Sequence, residues 1–211
     1  AEYYIYHTNP SLADSDGDGL TDYEEIAIYN TDPNSDDTDQ DGINDYQEVT
    51  IYKSNPLSQD TDNDELNDYL ELVTGYDIYI RLLNGSIIEK TVHLNASSTD
   101  TDDDTLSDLF EYLNGLDGST NDTDGDNITD SEELALKLNA TNQDTDYDGL
   151  SDWQEMILGT NPKVKDTDGD GLSDYEEVFI YKTDPRLKDR DFDGISDHAE
   201  IFTYSTDPLK K

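Results

Sequence analysis

Residues 166–177 read DTDGDGLSDYEE, and the pattern they carry decides how the chain folds. Aspartate stands at positions 1, 3, 5 and 9 of this segment and glutamate at position 12. The same spacing, D-x-D-x-D-x-x-x-D-x-x-E, is written out in full eight times, starting at Asp14 in the first copy and at Asp189 in the last. These five positions hold 40 of the 53 Asp and Glu residues. The chain is therefore an array of repeats.

Oxygen ligands at this spacing are typical of calcium-binding loops. The acids at positions 1, 3 and 5 converge where the loop turns sharply, and glycine at position 6 permits that turn. Position 7 offers a backbone carbonyl, position 9 often acts through water, and the glutamate at position 12 supplies two oxygens. Calcium tolerates this sevenfold geometry, whereas magnesium resists it. We therefore predict at least eight Ca²⁺ sites.

The predicted ligands of loops 1 to 8, in chain order, are Asp14, Asp16, Asp18, Leu20, Asp22, Glu25; Asp37, Asp39, Asp41, Ile43, Asp45, Glu48; Asp60, Asp62, Asp64, Leu66, Asp68, Glu71; Asp100, Asp102, Asp104, Leu106, Asp108, Glu111; Asp122, Asp124, Asp126, Ile128, Asp130, Glu133; Asp144, Asp146, Asp148, Leu150, Asp152, Glu155; Asp166, Asp168, Asp170, Leu172, Asp174, Glu177; and Asp189, Asp191, Asp193, Ile195, Asp197, Glu200.

Three loops lack glycine at position 6 and carry Glu65, Thr105 or Asn127 instead. Asparagine tolerates a positive φ fairly well, whereas glutamate and the β-branched threonine do so poorly. We therefore predict that loops 3 and 4 are distorted or bind calcium more weakly.

The composition indicates that the metal is needed for folding. The formal charge is −41 and only 32% of the residues are hydrophobic, which is typical of disordered chains. Position 7 is always aliphatic, an apolar residue follows each loop glutamate, and a third apolar residue often comes two positions later, as in Ile28, Ile51, Leu136, Leu158 and Ile180. Two or three buried side chains per repeat make a small core, so we expect calcium-dependent folding.

Several functional classes are excluded or disfavoured. A strongly acidic surface repels nucleic acid and anionic membranes, and no apolar run reaches 18 residues. The chain has no cysteine. Its histidines match no zinc spacing, and there is no nucleophile–base signature or phosphate-binding glycine loop. We predict that the chain is not an enzyme.

Loop starts lie 22 or 23 residues apart, except for 40 residues between loops 3 and 4. We therefore divide the chain into repeats at 1–74, an inserted β-hairpin at 75–96 and repeats at 97–211. For the hairpin we predict a three-residue loop, Asn84 to Ser86, which places Leu82 opposite Ile88 and Ile78 opposite Val92. A lone hairpin is marginally stable, so it docks on neighbouring repeats, the favoured interpretation, or on a partner.

Turns such as Thr31-Asp32-Pro33 and Thr183-Asp184-Pro185 close the repeats. Proline ends the helix there, and the acidic or amide residue before it either caps the turn or provides an extra ligand. Ala1 and Glu2 match the end of a further loop, which suggests a piece of a longer protein.

The segment 166–177, together with Thr183-Asp184-Pro185, resembles the thrombospondin type 3 repeats of cysteine-free prokaryotic surface proteins. The aliphatic residue stands at position 7, whereas the EF-hand has it at position 8. The resemblance implies an extracellular array wrapped around calcium, with repeats that can hold more than one ion. Each Ca²⁺ adds two charges, so eight ions leave −25 of the formal −41 and sixteen leave −9. Position 9 or the turn aspartate is the candidate for a second site.

We predict an irregular fold of mainly loops with short α-helices, a tandem calcium-stabilised array with one inserted β-hairpin. The favoured function is a rigid stalk, spacer or filament subunit of a secreted or cell-surface protein. The alternative is a calcium-dependent adhesion module that binds other surface proteins, or copies of itself, through the hairpin or a tyrosine-bearing face. A tyrosine recurs four residues after several loop glutamates, at Tyr6, Tyr29, Tyr52, Tyr181 and Tyr204. Sequons fit a glycoprotein, and stand at Asn84, Asn95, Asn121, Asn127 and Asn139.

Overall fold

The computed structural model describes residues 6–211, so the predicted loop remnant at Ala1 and Glu2 lies outside the described part. Each repeat consists of an irregular loop, a short helix and a turn, as predicted. The helices are α1 (Asp22–Glu24), π1 (Glu25–Tyr29), α2 (Asp45–Gln47), π2 (Glu48–Tyr52), π3 (Leu70–Thr74), α3 (Asp108–Asn114), α4 (Asp130–Leu136), α5 (Asp152–Leu158), π4 (Glu176–Tyr181), α6 (Asp197–Ala199) and π5 (Glu200–Tyr204). Strands β1 (Tyr76–Arg81) and β2 (Ile87–Val92) form one hairpin.

Position 8 of the loop starts each helix. Its side-chain oxygen accepts a hydrogen bond from the backbone N–H three residues later, as Ser151 does from Gln154. The side chain of Gln154 in turn accepts from the backbone N–H of Ser151, which completes a capping box. Because the first N–H groups of a helix have no partner within it, this pair of bonds stabilises the helix start. The capping residue also directs position 9 into the first helical turn.

The helix absorbs the difference between 22-residue and 23-residue spacings. After loops 4 to 6, which begin 22-residue spacings, the helix is α-helical, and the N–H of Gly159 donates to the carbonyl of Glu155 four residues earlier. After loop 1, which begins a 23-residue spacing, a π-helical turn forms, and the N–H of Asn30 donates to the carbonyl of Glu25 five residues earlier. One added residue therefore widens the helix and leaves the loops unchanged.

The turns between repeats are capped by their own side chains. The Oδ1 atom of Asp32 accepts a hydrogen bond from the backbone N–H of Asn34, and that of Asn161 accepts from Lys163. Aspartate and asparagine form such turns readily because the side chain replaces a backbone acceptor. The capped-turn interpretation of these residues is therefore confirmed.

The apolar core is smaller than the sequence predicts. The aliphatic residue at position 7 is buried in six loops and half-buried in the other two, at Leu106 and Ile195. The predicted third apolar position is wrong for four of its five members, since Ile28, Ile51, Leu136 and Ile180 are exposed. The helices are only one or two turns long, and acidic side chains occupy their buried face.

The hairpin forms, but its predicted register is wrong by two residues. The N–H of Leu82 donates to the carbonyl of Ser86, and the N–H of Gly85 donates to the carbonyl of Leu82. The three-residue loop is therefore 83–85, with Gly85 at φ 81°, as in a turn that ends in a bulge. Glu89 consequently lies beside Tyr79, whose hydroxyl it accepts, and Ile78 lies opposite Lys90 instead of Val92.

The chain divides into two compact units, 1–78 with 91–120 and 79–90 with 121–211. In the first unit the hydroxyl of Tyr76 donates to the carbonyl of Leu116 and accepts from the N–H of Gly118. In the second unit the backbone of Arg81 pairs with that of Asn142 in a parallel bridge. Both parts of the hairpin therefore dock on repeats of their own unit, which agrees with the favoured prediction. Among residues 6–211, every helix is too short or too polar to span a bilayer.

Candidate metal centres

The aspartate at position 1 organises each loop through backbone N–H groups. In loop 7 one oxygen of Asp166 accepts from the N–H of Gly169 and the other from the N–H of Gly171. The same two bonds hold the other loops, with few exceptions, as from Asn63 and Glu65 to Asp60 in loop 3. Positions 4 and 6 adopt a positive φ in every loop, because their N–H groups must point back at this carboxylate.

The aspartates at positions 3 and 5 each use one oxygen for the loop and turn the other inward. In loop 7 the Oδ1 atom of Asp168 accepts from the N–H of Asp170, and that of Asp170 accepts from the N–H of Leu172. Eight compact groups of carboxylates result, each with ligand atoms within 4.8 Å of one another. The position 1, 3 and 5 aspartates of loops 1 to 5 are among these groups.

The aspartate at position 9 is a clamp, a role that the calcium-loop pattern does not indicate. In loop 6 Asp152 accepts the backbone N–H of Thr145 through Oδ1 and the Thr145 hydroxyl through Oδ2. The Thr145 hydroxyl also accepts the N–H of Asn139 in the preceding turn. The sequence signal for this role is serine or threonine at position 2, which occurs in seven of the eight loops. Loop 8 has Arg190 there, and only its backbone N–H reaches Asp197.

The glutamate at position 12 is buried beneath the aspartates. All eight of these side chains are 0–1% exposed, and each belongs to the helix that position 8 starts. Burial, followed by the charges of Asp124, Asp126, Asp130 and Asp152, raises the pKa of Glu133 to about 9. In four loops a hydroxyl of the following turn donates to this glutamate, as Thr183 does to Glu177 over 2.9 Å.

Many inward oxygens of these groups have no hydrogen-bond partner in the described structure. The Oδ2 atom at position 3 is buried without one in all eight loops, at Asp16, Asp39, Asp62, Asp102, Asp124, Asp146, Asp168 and Asp191. One or both glutamate oxygens share this state, as in Glu25, Glu71 and Glu133. A buried carboxylate without compensation is costly, and oxygen clusters of this kind match the ligands that Ca²⁺ takes. The residues therefore fit calcium.

Loops 3 and 4 keep the geometry of the other loops, so the predicted distortion is wrong. Glu65 and Thr105 adopt φ values of 85° and 86°, and their N–H groups still donate to Asp60 and Asp100 over 3.1 and 3.0 Å. The hydrogen bonds to the position 1 carboxylate hold the positive φ in place of glycine, at the cost of backbone strain. Weaker calcium binding by these loops stays a prediction.

Adjacent loops within a unit are joined through position 5. The second oxygen of Asp148 accepts the backbone N–H of Tyr175, which is position 10 of the next loop. The ring of Tyr175 lies over Gly149, where an added Cβ atom would stand 3.2 Å from the ring. Asp18 accepts the N–H of Tyr46 in the same way. Position 6 glycine therefore gives room to the next repeat as well as freedom to the backbone.

The recurring tyrosines lie mostly against the repeats. Tyr29, Tyr52 and Tyr181 are half-buried, and the ring of Tyr181 meets that of Phe202 edge-on at 6.1 Å. Tyr6 and Tyr204 are exposed. Packing between repeats accounts for three of the five positions, and the other two do not form a continuous stripe with them.

Five segments of the chain match the bacterial TSP3 repeat, at residues 14–35, 37–59, 122–137, 144–165 and 166–185. They contain loops 1, 2, 5, 6 and 7 with the helices that follow. The resemblance to thrombospondin type 3 repeats is therefore confirmed.

Two solved structures are similar to a fifth of the chain. The B domain of a biofilm associated protein is 47% identical over 21% of this chain and 11% of that chain, with a TM-score of 0.21. The BSP domain of a biofilm associated protein is 46% identical over 20% of this chain and 7% of that chain, with a TM-score of 0.20. The chain thus spans a small part of the structures it matches. None of the curated proteins gives a significant match.

Proposed function

We propose that this array of bacterial TSP3 repeats is a calcium-stabilised structural segment, a stalk or spacer, of a secreted or cell-surface protein, and that it has no enzymatic activity. The observation that carries the proposal is the eightfold set of buried, partnerless carboxylate oxygens at position 3. Repeating one site eight times suits mechanical continuity better than it suits one reaction. The small apolar core leaves the metal to hold the repeats together.

In each loop the position 3 and 5 aspartates and the position 12 glutamate would hold Ca²⁺. The bound ion supplies positive charge that balances these acids. The position 1 and 9 aspartates hold the loop backbone in shape through the N–H groups described above. Binding would therefore order a loop whose scaffold the protein has already built, and Asp148 and its equivalents would pass that order to the next repeat.

The test is a calorimetric calcium titration together with small-angle scattering. We expect at least eight ions per chain, and expansion of the chain when a chelator removes them. Asp102→Asn should remove one ion or weaken one site by about tenfold or more, because it takes a charged ligand out of loop 4. Asp103→Asn is the matched control, since Asp103 is the exposed neighbour at position 4. Absence of calcium binding, or dimensions that ignore the chelator, would contradict the proposal.

A protein-binding module is the second candidate, favoured by an apolar groove in the second unit. The groove is lined by Leu150, Trp153, Ile157, Val178 and Phe179 among others, and Ile157 is 64% exposed. Ile157→Ser should abolish partner binding without changing the calcium count if this groove is used. Unchanged adhesion in that variant would reject the candidate.

A further inference from the structure

The residue immediately before position 1 of a loop, here named the lead residue, reaches back to the loop before it. The Nζ atom of Lys165, the lead residue of loop 7, donates to the carbonyl of Tyr147 over 2.7 Å. The Nζ atom of Lys188, the lead residue of loop 8, donates to the carbonyl of Gly169 over 2.9 Å. Tyr147 and Gly169 are position 4 of loops 6 and 7, between the aspartates of positions 3 and 5. Each ammonium group therefore lies beside a predicted calcium site.

Two other lead residues make the equivalent contact without a charge. The side-chain amide of Gln59 donates to the carbonyl of Asp39 in loop 2. That of Gln143 donates to the carbonyl of Asp124 in loop 5 over 2.6 Å. Glutamine and lysine thus reach the same part of the preceding loop, and they differ in formal charge.

The two ends of the chain extend this series of charges. Burial raises the pKa of Asp16 in loop 1, and Asp36, the lead residue of loop 2, adds to the increase through its charge. Burial also raises the pKa of Asp189 in loop 8, but N–H donors and the charge of Lys211 outweigh it, so this pKa is lowered. The residue at the lead position is therefore acidic beside loop 1, neutral beside loops 2 and 5, and basic beside loops 6, 7 and 8.

We propose that the lead residue grades the calcium sites along the array, so that loops 6 to 8 bind Ca²⁺ more weakly than loops 2 and 5 and stay better ordered without it. This inference rests on the proposed calcium-binding function. The lysine ammonium repels a divalent ion at the adjacent site and compensates the acids when no ion is bound. It acts as a tethered cation that calcium must work against.

The size of the effect follows from electrostatics. One unit charge at the rim of a solvent-accessible site changes the affinity for a divalent ion by roughly three- to tenfold at low ionic strength. Because salt screens such interactions over about 10 Å at 0.1 M and about 3 Å at 1 M, the effect should largely disappear at 1 M salt. Loss of a packing contact would persist there.

Trp153 makes a local test possible. It is the only tryptophan, it is position 10 of loop 6, and its N–H donates to Asp126 of loop 5. Calcium titration of the full chain, followed by tryptophan fluorescence at low ionic strength, should show a midpoint about three- to tenfold lower for Lys165→Gln. Gln143→Lys should move the midpoint in the opposite direction. Lys182→Gln is the matched control, because Lys182 donates to helix carbonyls of Val178 and Phe179 and removes the same charge.

Hydrogen exchange of each repeat, measured with and without chelator, provides a second readout. In the chelated chain Lys165→Gln and Lys188→Gln together should speed exchange in loops 6 and 7 and leave loop 2 unchanged. Equal midpoints for the wild type and Lys165→Gln, equal shifts for Lys165→Gln and Lys182→Gln, or shifts that survive 1 M salt would overturn the inference. A wild-type chain that gains no protection from calcium in any repeat would contradict the proposed function itself.

Discussion

At the residue scale, aspartates of identical chemistry do two different jobs in each loop. The position 3 aspartates keep a buried oxygen free of partners, whereas Asp152 and most of its equivalents at position 9 receive two hydrogen bonds from position 2. The difference is set by the neighbours that the loop backbone supplies. A substitution at either position therefore tests a different property of the protein.

Thr145→Val should destabilise the fold without removing a calcium ligand. Valine has the shape of threonine but lacks the hydroxyl that links the N–H of Asn139 to Asp152. Leaving a buried donor and acceptor unpaired costs about 1–3 kcal/mol. Urea unfolding in saturating calcium should show this loss, while calorimetry finds the same number of ions. Thr74→Val is the control, since Thr74 is exposed and bonds only to helix carbonyls. Equal stability of the two variants would argue against the clamp.

The loop residues show which parts of the site can be predicted from the sequence. The positions that gather the carboxylates follow from spacing alone, because fixed offsets place fixed side chains in a tight loop. The geometry at Glu65 and Thr105 does not follow, because residue preference for positive φ is a local property. In the folded loop the carboxylates of Asp60 and Asp100 hold these N–H groups, and that tertiary constraint overrides the preference.

At the element scale, the helices tolerate a change of length that the loops do not. The turn residue Asp184 comes seven residues after Glu177, whereas Asn161 comes six residues after Glu155. Both helices nevertheless end with a hydrogen bond to the loop glutamate carbonyl. The choice between α and π turns is therefore readable from the repeat spacing, once the loops are known to be constant.

Deleting Ile180 should convert π4 into an α-helix and keep the calcium count. Ile180 is 55% exposed, and its removal gives the 22-residue spacing of three other repeats. Helical π turns are less favourable than α turns, so we expect a stability change within about 1 kcal/mol of zero by urea unfolding. Deleting Thr167 is the contrasting change, since it shifts the acids of loop 7 out of register. Loss of an ion in the Ile180 deletion would show that the helix length sets the site.

The hairpin illustrates how far alternation alone can be read. Alternating apolar residues place Ile78 and Ile80 on a buried face, and a register shift of two residues keeps each side chain on the same face. The pattern therefore predicts the face and leaves the register to the turn. Gly85 settles the turn, because its left-handed conformation ends the loop one residue earlier than predicted.

At the scale of the whole molecule, acids take the place that apolar residues hold in other folds. The most deeply buried large side chains include the position 12 glutamate of every loop alongside Ile43, Ile78, Leu150 and Leu172. A chain of this composition therefore folds only if protons or cations neutralise its interior. The sequence predicts the need for cations from the count of acids, but the depth of burial comes from the helices that carry the glutamates. The predicted boundaries of the repeats and the hairpin insertion stay a prediction.

Acidification should substitute in part for calcium. Burial and neighbouring aspartates raise the pKa of Glu71 and Glu155 to about 9 and that of Glu25 and Glu48 to about 8, from 4.5. Because protonation favours the folded calcium-free chain, this stabilisation is fully present below pH 4.5 and is lost as pH rises through 8 to 9. In chelator, scattering should therefore show a more compact chain at pH 5 than at pH 9, and calcium should remove the difference. Binding at pH 7 must also displace these protons, so its calorimetric heat should depend on the ionisation enthalpy of the buffer and lose that dependence near pH 10. Equal dimensions at pH 5 and 9 in chelator, with buffer-independent heats at pH 7, would show that the glutamates are already ionised in the calcium-free protein.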